Sequence, residues 1–552
     1  MIAVFQFDQQ LKNAMFMEFI ATKIPYEDTR SFSSLVLDYI SRDPLLKPFY
    51  AHTPDIDGVR DAIEARKNFS TDRHLLVEQL KLQYTGIHTC NVVTENIDAL
   101  LSEDTFTITT AHQPNIFLGH LYFVYKILHA IRIADELTRK LPGFKFVPVY
   151  YMGSEDADLH ELGEVKINGK AYTWQTAQKG AVGRMLIDQS FMEIVTGIEG
   201  QLAIETFGPE IIMYMKAAYT PGKTIQQATF EFTHTLFQDY GLLILLPDNA
   251  ALKRSLLPVI RKELSEGFSH KAVLKTITSF PTKYKVQASG REVNLFYLEA
   301  GMRERIEKED DGFRIANSSL RFTHDEFEKE IVLNPQRVSP NVILRPVYQE
   351  LVLPNIVFIG GGGELAYWLE LKKVFEDVDV PYPLLVLRNS FTIIPFRTAE
   401  LMQKLNLTIP DVFEEQLHLI NQLIFRDSDN KLTFSEEKLS LIKLYKQFRS
   451  DATVVDTTLE RHVWALQSKA IQKIEQLEKK MLKATRTRSD AMTRQVQKLK
   501  SQLSPGGSLQ ERYDNILPYY AIYGKSIIKV IYDFSGTFEH KFNVITEINS
   551  NS

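Results

Sequence analysis

Thr105-Phe106-Thr107-Ile108-Thr109-Thr110 largely alternates between hydroxyl-bearing and apolar side chains and is rich in β-branched residues, which predicts a β-strand. After a loop that contains proline and glycine, apolar residues recur at helical spacing from Leu121 to Ala134. Pro142-Gly143 ends the predicted helix, and Phe144 to Met152 is a second, almost continuously apolar strand. Such a strand is expected in a parallel sheet that is covered on both faces. The segment therefore predicts a βαβ unit.

A related unit occurs late in the chain. Asn355 to Ile359 predicts a strand, Gly360 to Gly363 a tight turn, Glu364 to Val378 a helix and Pro383 to Leu387 the next strand. Two such units separated by a long segment predict an α/β fold. We expect a Rossmann-like, doubly wound parallel sheet that is interrupted by an insertion.

The insertion is itself expected to be structured, because strands are predicted at Gly241 to Leu246 and Arg291 to Leu298. The whole chain then divides into segments. These are the N-terminal part of the Rossmann-like core at 1–164, inserted connecting domains at 165–338, the C-terminal part of the core at 339–400, a helical coiled-coil arm at 401–508, and a tail at 509–552 that packs back on the main body.

The helical arm carries the longest helix signal in the chain. Thr457-Thr458-Leu459-Glu460 matches a capping box, and Ser504-Pro505-Gly506-Gly507 ends the segment. Apolar residues between them mostly follow a heptad spacing that weakens at 485–490. One continuous helix, a hairpin that turns at the weak point, and a helix in an ordinary bundle all remain open. A seam this long would otherwise face water, so we expect it to form a homodimer.

Composition excludes several classes of protein. The 552 residues include 64 Lys and Arg against 69 Asp and Glu, a formal net charge of −5, with 44% apolar and 24% charged residues. These values argue against disorder and against a nucleic-acid-binding protein with a basic surface. The single cysteine, Cys90, is expected to be a small apolar residue rather than a reactive thiol, and fits a reducing compartment. Without a signal-peptide pattern or an apolar run long enough to span a bilayer, we expect a cytoplasmic protein with no membrane partner.

Ligands of open parallel sheets bind beyond the carboxyl ends of the strands, and polar segments follow the predicted strands here. His112-Gln113-Pro114-Asn115 follows the first strand and leads into a helix that carries Tyr122 and Lys126. Imidazole, amide, ammonium and a helix N-terminus together predict an anion site. Loop capping and core packing are the alternative explanation for the same residues.

Two further loops carry carboxylates. The segment from Gly153 to Glu161, which includes Glu155 and Asp156, suits Mg²⁺ or a substrate ammonium, although acidic residues also favour a helix N-terminus for local reasons. The turn from Gly360 to Gly363 lacks the Lys of a phosphate-binding loop, and Glu364 directly after it favours an amine over a phosphate. Arg345 and Arg388 are candidates to clamp a carboxylate, or else form surface ion pairs.

At these residues the chain resembles a known family, the cysteine-adding enzymes of bacillithiol biosynthesis (BshC). The matching blocks occur in order across nearly the whole chain. They are Ser31-Phe32-Ser33, Asp43-Pro44, Thr110-Ala111-His112-Gln113 with Gly119 to Lys126, Ser154-Glu155-Asp156-Ala157-Asp158, Asn294-Leu295-Phe296-Tyr297, Leu344-Arg345-Pro346, Gly360 to Trp368, and Leu509-Gln510-Glu511-Arg512.

The resemblance implies a Rossmann-like core related to class I synthetase cores, inserted domains, a coiled coil and a homodimer. It also implies a ligase that joins cysteine to the amine of glucosaminyl-malate through an amide bond, which gives the thiol bacillithiol. ATP is the expected activator, with Mg²⁺ as its companion, although the sequence shows no decisive ATP motif. The alternative is a non-catalytic nucleotide- or sugar-binding protein with a coiled-coil assembly arm.

We expect substrate binding at the polar residues of the matching blocks and of the loops described above, with no dedicated metal site and no catalytic residue assigned. The expected substrate-binding residues are His112, Gln113, Asn115, Tyr122, Lys126, Glu155, Asp156, Arg345, Gly361, Gly362, Glu364, Tyr367 and Trp368.

Overall fold

A computed structural model describes residues 18–288, 290–427 and 432–548. The chain divides into two compact units. The first comprises the residues up to Ile393 together with those from Gln510 onward, and the second comprises Ile394 to Leu509.

The described strands and helices are numbered in chain order. The strands are β1 (Glu18–Pro25), β2 (Thr105–His112), β3 (Lys145–Met152), β4 (Glu164–Ile167), β5 (Lys170–Thr173), β6 (Leu243–Leu245), β7 (Leu295–Glu299), β8 (Met302–Glu309), β9 (Gly312–Ile315), β10 (Arg321–Thr323), β11 (Val338–Pro340), β12 (Asn355–Gly360), β13 (Leu384–Leu387), β14 (Ser390–Ile394) and β15 (Lys541–Ile548).

The helices of the first unit begin with α1 (Ser34–Ile40), α2 (Ile56–Lys67), α3 (Arg73–Gln83), α4 (Asn91–Ala99), α5 (Leu121–Lys140), α6 (Leu159–Leu162), α7 (Gln189–Leu202), α8 (Gly208–Ala218) and α9 (Ile225–Phe237). They continue with α10 (Ala250–Lys253), α11 (Leu257–Glu266), α12 (Phe268–Ser279), α13 (His324–Leu333), α14 (Arg345–Val352), α15 (Gly362–Trp368) and α16 (Lys372–Glu376). The second unit contains α17 (Phe396–Lys404), α18 (Gln416–Asp427), α19 (Ser435–Val455), α20 (Leu459–Arg488) and α21 (Asp490–Leu503). The first unit ends with α22 (Ile516–Tyr523) and α23 (Lys525–Phe534).

The centre of the first unit is a parallel sheet with the strand order β13-β12-β2-β3-β6. In chain order β2 is the first of these strands, and the chain first builds outward through β3 and β6. It then returns to the other side of β2 for β12 and β13. This is the doubly wound Rossmann-like arrangement that the sequence predicts, and its switch point lies between β2 and β12.

The strands are buried because helices cover both faces of the sheet. Phe106 and Ile108 of β2 join apolar residues of β12, β13, α2 and α5 in one core cluster. Helix α5 buries most of its length, including Val124, Ile127 and Ile131, in keeping with the helical spacing in the sequence. The apolar strands and the amphipathic helix predicted around residues 105–152 are therefore confirmed.

Two local expectations differ from the structure. The strand at Leu243–Leu245 pairs with β3, so this part of the predicted insertion contributes an edge strand to the central sheet. The helix predicted from Glu364 to Val378 is interrupted after Trp368. At the interruption the buried Glu370 carboxylate accepts hydrogen bonds from the backbone N–H groups of Gln287 (2.8 Å) and Ala288 (2.7 Å), which fixes a turn there.

The first unit contains further sheets. A second five-stranded sheet has the order β10-β9-β8-β7-β11, and β4 pairs with β5. The tail belongs to the same unit, since β15 pairs antiparallel with β1 along its whole length and also neighbours β14.

The second unit is helical, and its longest helices pair with each other. Helices α19 and α20 form a hairpin in which Lys438 Nζ lies 2.9 Å from Glu478 Oε2. The hairpin turns at Asp456, whose carboxylate accepts from the N–H and hydroxyl of Thr458, so the predicted capping box does not form. Ser489 separates α20 from α21, yet these two helices hardly contact each other. The 457–503 segment is thus interrupted at its weak point without folding back there.

Among the described residues, no helix is both long enough and apolar enough to cross a membrane. Cys90 is partly exposed and its thiol donates to Asp239 at 3.4 Å. Burial and the Asp239 carboxylate raise the pKa of this thiol, which is the opposite of what an activated thiolate needs.

Replacing Glu350 with Ala is expected to lower the free energy of unfolding by about 3–5 kcal/mol, because it leaves the Arg66 guanidinium buried without its partner. The side chains are 0% and 2% exposed, and Glu350 Oε2 lies 2.6 Å from Arg66 Nη2. Urea denaturation followed by circular dichroism measures the loss. The control Glu328→Ala breaks the exposed ion pair with Arg261 and is expected to cost less than about 1 kcal/mol. Equal losses in both variants would contradict a buried, paired Glu350.

Candidate functional site

A cavity of about 340 Å³ opens at the carboxyl ends of β2, β3 and β12, within the first unit. It lies at the switch point of the doubly wound sheet, where the loops after β2 and β12 separate. Its lining residues come from distant parts of the chain. They are Ala111, His112, Gln113, Tyr122, Tyr151, Gly153, Glu161, Val342, Arg345, Gly361, Gly362, Gly363, Glu364, Tyr367, Arg388 and Arg512.

An ion pair between Lys126 and Glu364 joins the two sides of the switch point. Lys126 Nζ donates to Glu364 Oε1 at 2.9 Å and Oε2 at 2.7 Å, and also to the carbonyl oxygen of Ala111 at 2.5 Å. The Lys126 side chain is only 1% exposed, whereas Glu364 is 26% exposed and lines the cavity. Burial lowers the pKa of Lys126, and the Glu364 carboxylate opposes that shift. Protein acceptors already surround the Lys126 ammonium. Glu364, and not Lys126, is therefore accessible to a ligand in the cavity.

The Glu364 carboxylate also orders the glycine turn. Its Oε2 atom accepts a hydrogen bond from the backbone N–H of Gly361 at 2.8 Å, which caps the start of α15. A Cβ on Gly363 would meet no atom within 4 Å, so the turn faces open space there. The turn therefore presents both backbone donors and a carboxylate to the cavity.

A second ion pair joins the loop after β3 to helix α14. Arg345 Nη1 donates to Asp156 Oδ2 at 2.9 Å, and Nη2 donates to Asp156 Oδ1. Arg303 Nη2 lies 3.4 Å from the same carboxylate. Burial alone would raise the pKa of Asp156, but the two guanidinium groups outweigh it and hold that pKa below its usual range. A Cβ on Gly153 would lie 3.3 Å from Arg345 Nη1, so glycine gives the guanidinium room.

Arg388 forms a third pair, which is fully buried. Its Nη2 atom donates to Glu511 Oε1 at 2.7 Å, and the two side chains are 4% and 0% exposed. The guanidinium carbon lies 5.2 Å from the centroid of the Tyr122 ring. Burial raises the pKa of Tyr122 to about 12, so its hydroxyl stays protonated at neutral pH.

His112 lies between these charged groups as a neutral ring. Burial, followed by the charges of Lys126, His120 and Arg388, lowers the pKa of His112 well below its ordinary value. Its ring packs 4.8 Å from Phe123 and 5.4 Å from Tyr122 between centroids. Its buried Nε2 atom has no hydrogen-bond partner among the described residues. The imidazole can therefore exchange a hydrogen bond with a ligand but does not supply a positive charge.

Arg512 differs from the other cations of the cavity. It is exposed, and no carboxylate of the described segments lies within ion-pair distance of it. Glu161 stands at the same cavity, and burial, followed by the charges of Asp158 and Asp156, raises its pKa. The free guanidinium of Arg512 is therefore available to an anionic ligand.

The loop after β2 keeps its shape through unusual backbone angles. Phe117, Leu118 and Gly119 all have positive φ values, of 51°, 68° and 58°. A Cβ on Gly119 would lie 2.8 Å from Asn115 Cβ, so only glycine fits there. Asn515 of the tail holds the loop by donating to the carbonyl oxygens of Phe117 (2.9 Å) and Gly119 (2.5 Å). The left-handed residues thus depend on a contact from the far end of the chain.

The structure brings most of the predicted site residues to one cavity and places the others behind it. His112, Gln113, Tyr122, Arg345, Gly361, Gly362, Glu364 and Tyr367 line the cavity. Lys126 and Asp156 do not line the cavity but form ion pairs with the lining residues Glu364 and Arg345. Three others lie elsewhere. Asn115 is buried in its own loop, Glu155 pairs with the buried Lys253, and Trp368 stacks on Phe358 with ring centroids 4.3 Å apart.

Some residues that line the cavity were not predicted as site residues from the sequence. Arg512 stands in a tail that sequence places far from both βαβ units, although the block Leu509 to Arg512 is one of those that resemble the family. Tyr151 lies in an apolar strand, where a tyrosine is expected to pack in the core. Glu161 is one of several acidic residues in its segment, and the sequence does not distinguish it from the others. Among residues 18–288, 290–427 and 432–548, no group of three or more His, Cys, Asp or Glu side chains is placed to hold a metal ion.

Family comparisons agree with this architecture. A model described as "Bacillithiol biosynthesis BshC, N-terminal Rossmann-like domain" matches residues 19–389. A second, described as "Bacillithiol biosynthesis BshC, C-terminal coiled-coil domain", matches residues 391–547. The chain belongs to the BshC family. Its cavity draws on both matched regions, because Arg512 lies in the second one.

Relatives match along nearly their whole length. A protein of Flavobacterium psychrophilum named "Putative cysteine ligase BshC" is 38% identical, covering 95% of this chain and 98% of the relative. A protein of Flavobacterium johnsoniae with the same name is 36% identical, covering 95% and 99%. A solved structure titled as a putative arginyl-tRNA synthetase of Campylobacter jejuni is 11% identical, covering 81% of this chain and 98% of that one. Its TM-score of 0.22 is too low for a comparison of folds.

The His112 ring is expected to stay neutral from pH 8 down to pH 6, because burial and the neighbouring cations hold its pKa well below 6.5. Long-range ¹H–¹⁵N NMR spectra recorded across this range report the protonation of each imidazole, and the variant His112→Gln assigns the signal. A ring that becomes protonated near pH 6.5 would contradict the buried, cation-flanked position of His112.

Proposed function

We propose that this protein is a cytoplasmic ligase that joins the carboxyl group of cysteine to the amine of glucosaminyl-malate, forming an amide and so bacillithiol. The observation that carries the proposal is the switch-point cavity, where free and paired cations stand beside carboxylates. Cations suit the carboxylates of malate and cysteine, and carboxylates suit an amine or ammonium. The family's description, which names bacillithiol biosynthesis, and the relatives' name, "Putative cysteine ligase BshC", support a ligase that uses cysteine.

The reaction forms one C–N bond and breaks one C–O bond. The amine nitrogen attacks the carboxyl carbon of cysteine, the nitrogen loses a proton, and one carboxyl oxygen leaves. We propose that ATP activates the carboxyl group beforehand: a carboxyl oxygen bonds to a phosphorus of ATP while one P–O–P bond of the nucleotide breaks, so that this oxygen later leaves bonded to phosphorus. The backbone N–H groups of Gly362 and Gly363 would hold this phosphate, and Mg²⁺ would offset the charge of the Glu364 carboxylate beside them. Mg²⁺ would then be bound largely through the phosphates of the nucleotide.

Arg512 is the residue we assign to the malate carboxylates. Lys126, Arg345 and Arg388 already hold protein carboxylates, so binding a ligand anion there means competing with a buried partner. Arg512 is exposed at the cavity and makes no such pair with any described residue. A guanidinium can bind a carboxylate through two parallel hydrogen bonds, which favours this contact.

Arg512→Ala is expected to raise the KM for glucosaminyl-malate by about 10- to 100-fold, the loss of a charged hydrogen bond worth about 1.5–3 kcal/mol. The KM for cysteine should change by less than about threefold, since the proposed contact belongs to the other substrate. Steady-state assays that vary one substrate at a time measure both values.

The matched control for that experiment is Arg261→Ala. This variant removes an exposed arginine that does not line the cavity, so both KM values should stay unchanged. An equal rise in the KM values for the two substrates in Arg512→Ala would count against the assignment.

The overall reaction is tested by incubating the protein with cysteine, glucosaminyl-malate, ATP and Mg²⁺, and by detecting bacillithiol by mass spectrometry. Product that depends on all components supports the ligase. Product without ATP would overturn the activation step alone. Tight binding of the sugar substrate without any product would favour a non-catalytic binding protein.

We further propose that the protein is a homodimer formed through the helical hairpin of the second unit. The hairpin exposes large apolar side chains along both helices, including Leu439 (60% exposed) and Phe448 (47%) on α19, and Trp464 (59%) and Leu466 (42%) on α20. Several large exposed apolar side chains on one helical hairpin favour an interaction site.

The double variant Phe448→Glu/Trp464→Glu is expected to be a monomer, because it places two charges in the proposed apolar interface. Light scattering coupled to gel filtration measures the mass in solution. The control Gln472→Glu adds a charge at an exposed polar position of the same helix and should leave the dimer intact. A double variant that elutes as a dimer would exclude this interface.

A further inference from the structure

A second, smaller cavity adjoins the main one and is called the inner chamber here. Its volume is about 40 Å³, and it shares Ala111, Tyr151, Val342, Arg345 and Tyr367 with the main cavity. One water molecule needs about 10–15 Å³ by this measure, so the chamber has room for about three waters and for fewer of the larger methylene and sulfur groups. A short side chain fits this space and a long one does not.

The inner chamber lies between one face of the central sheet and the helices α14 and α15. Ala111 pairs with Tyr151, and Thr109 with Phe358, which places Tyr151 and Phe358 on the same face of the sheet. Side chains on alternate strand positions share a face, so these two rings project to the same side. Helix α15 supplies Tyr367 and Trp368 as further walls.

Four of the nine lining residues are aromatic, and none of the nine is a carboxylate. Phe358 stacks on Trp368 with ring centroids 4.3 Å apart. Arg345 is held by Asp156 and Gln349 Nε2 donates to Glu350 Oε1 at 2.9 Å, whereas the buried Trp368 Nε1 atom has no hydrogen-bond partner among the described residues. A ligand group in the chamber therefore meets polarisable rings and few free hydrogen-bonding groups.

We propose that the inner chamber binds the CH₂–SH side chain of the cysteine substrate and selects cysteine over other amino acids. Sulfur contacts aromatic rings favourably, whereas a serine hydroxyl would lose hydrogen bonds to water on entering. This assignment rests on the proposed ligase function and names the subsite for one of its substrates.

The position of the chamber leaves the reacting groups of the amino acid in the main cavity. With its side chain inside, the cysteine ammonium and carboxyl group would lie near the mouth, where Arg345, Asp156 and Glu364 are found. The carboxyl carbon is then reachable by an amine bound in the main cavity. An amino acid with a longer side chain would be held too far out for the same geometry.

Phe358→Leu tests the proposal by enlarging the chamber. We expect the ratio of kcat/KM for homocysteine to kcat/KM for cysteine to rise by about tenfold, since one methylene in an apolar pocket is worth about 10- to 200-fold in discrimination. The matched control is Phe375→Leu, which removes a ring that also stacks on Trp368, at 5.6 Å, but that does not line the chamber. The control should leave the ratio unchanged.

Ala111→Val tests the same space by filling it. Cysteine should then bind at least about tenfold more weakly by calorimetry. In the unsubstituted protein, 2-aminobutyrate, whose ethyl side chain matches the shape of cysteine, should bind more tightly than serine.

An unchanged homocysteine-to-cysteine ratio in Phe358→Leu, together with unchanged cysteine binding in Ala111→Val, would overturn the chamber even if bacillithiol is made. If no amide product forms at all, the ligase function fails, and the calorimetric comparison of cysteine, serine and 2-aminobutyrate still decides whether the chamber binds this side chain.

Discussion

The ion pair between Lys126 and Glu364 is the contact on which the site depends. It joins the helix after the first strand of the sheet to the helix after the fourth strand in chain order, and so spans the switch point. Because Lys126 also donates to the carbonyl oxygen of Ala111, the end of β2 is tied to the same charge. Without Glu364, the ammonium would be buried with a single carbonyl acceptor, which is costly.

The same principle recurs around the cavity, where each buried cation holds a carboxylate from a distant segment. Asp156 meets Arg345, and Glu511 meets Arg388, so segments far apart in sequence converge at the carboxyl edge of the sheet. These pairs position the loops and leave the site nearly neutral before a ligand arrives. The remaining groups then have separate roles in our account, with Arg512 for an anion, Glu364 for an amine and the inner chamber for a thiol side chain. Preorganised groups of this kind need little rearrangement when a ligand binds.

The sequence was sufficient for the central fold because its signals are local. Strands such as 105–112 and the helix from Leu121 show their periodicity within a few residues, and loops after parallel strands meet at one edge. It was insufficient wherever a distant partner decides the outcome. Lys126 was predicted to meet an anion because Glu364 is far along the chain, and the helix after Glu364 ends early because Glu370 binds the backbone at Gln287 and Ala288. Glu155 was grouped with Asp156, yet its neighbour is the buried Lys253.

The most direct test of the central claim is a crystal structure of the protein soaked with cysteine and glucosaminyl-malate in the absence of ATP. The account predicts both substrates at the switch point, with the malate carboxylates on Arg512, the amine toward Glu364 and the cysteine sulfur among Tyr151, Phe358 and Trp368. Substrate density at another surface, such as the lysine-lined cavity at Lys275 and Lys372, with the switch point free of substrate, would contradict it.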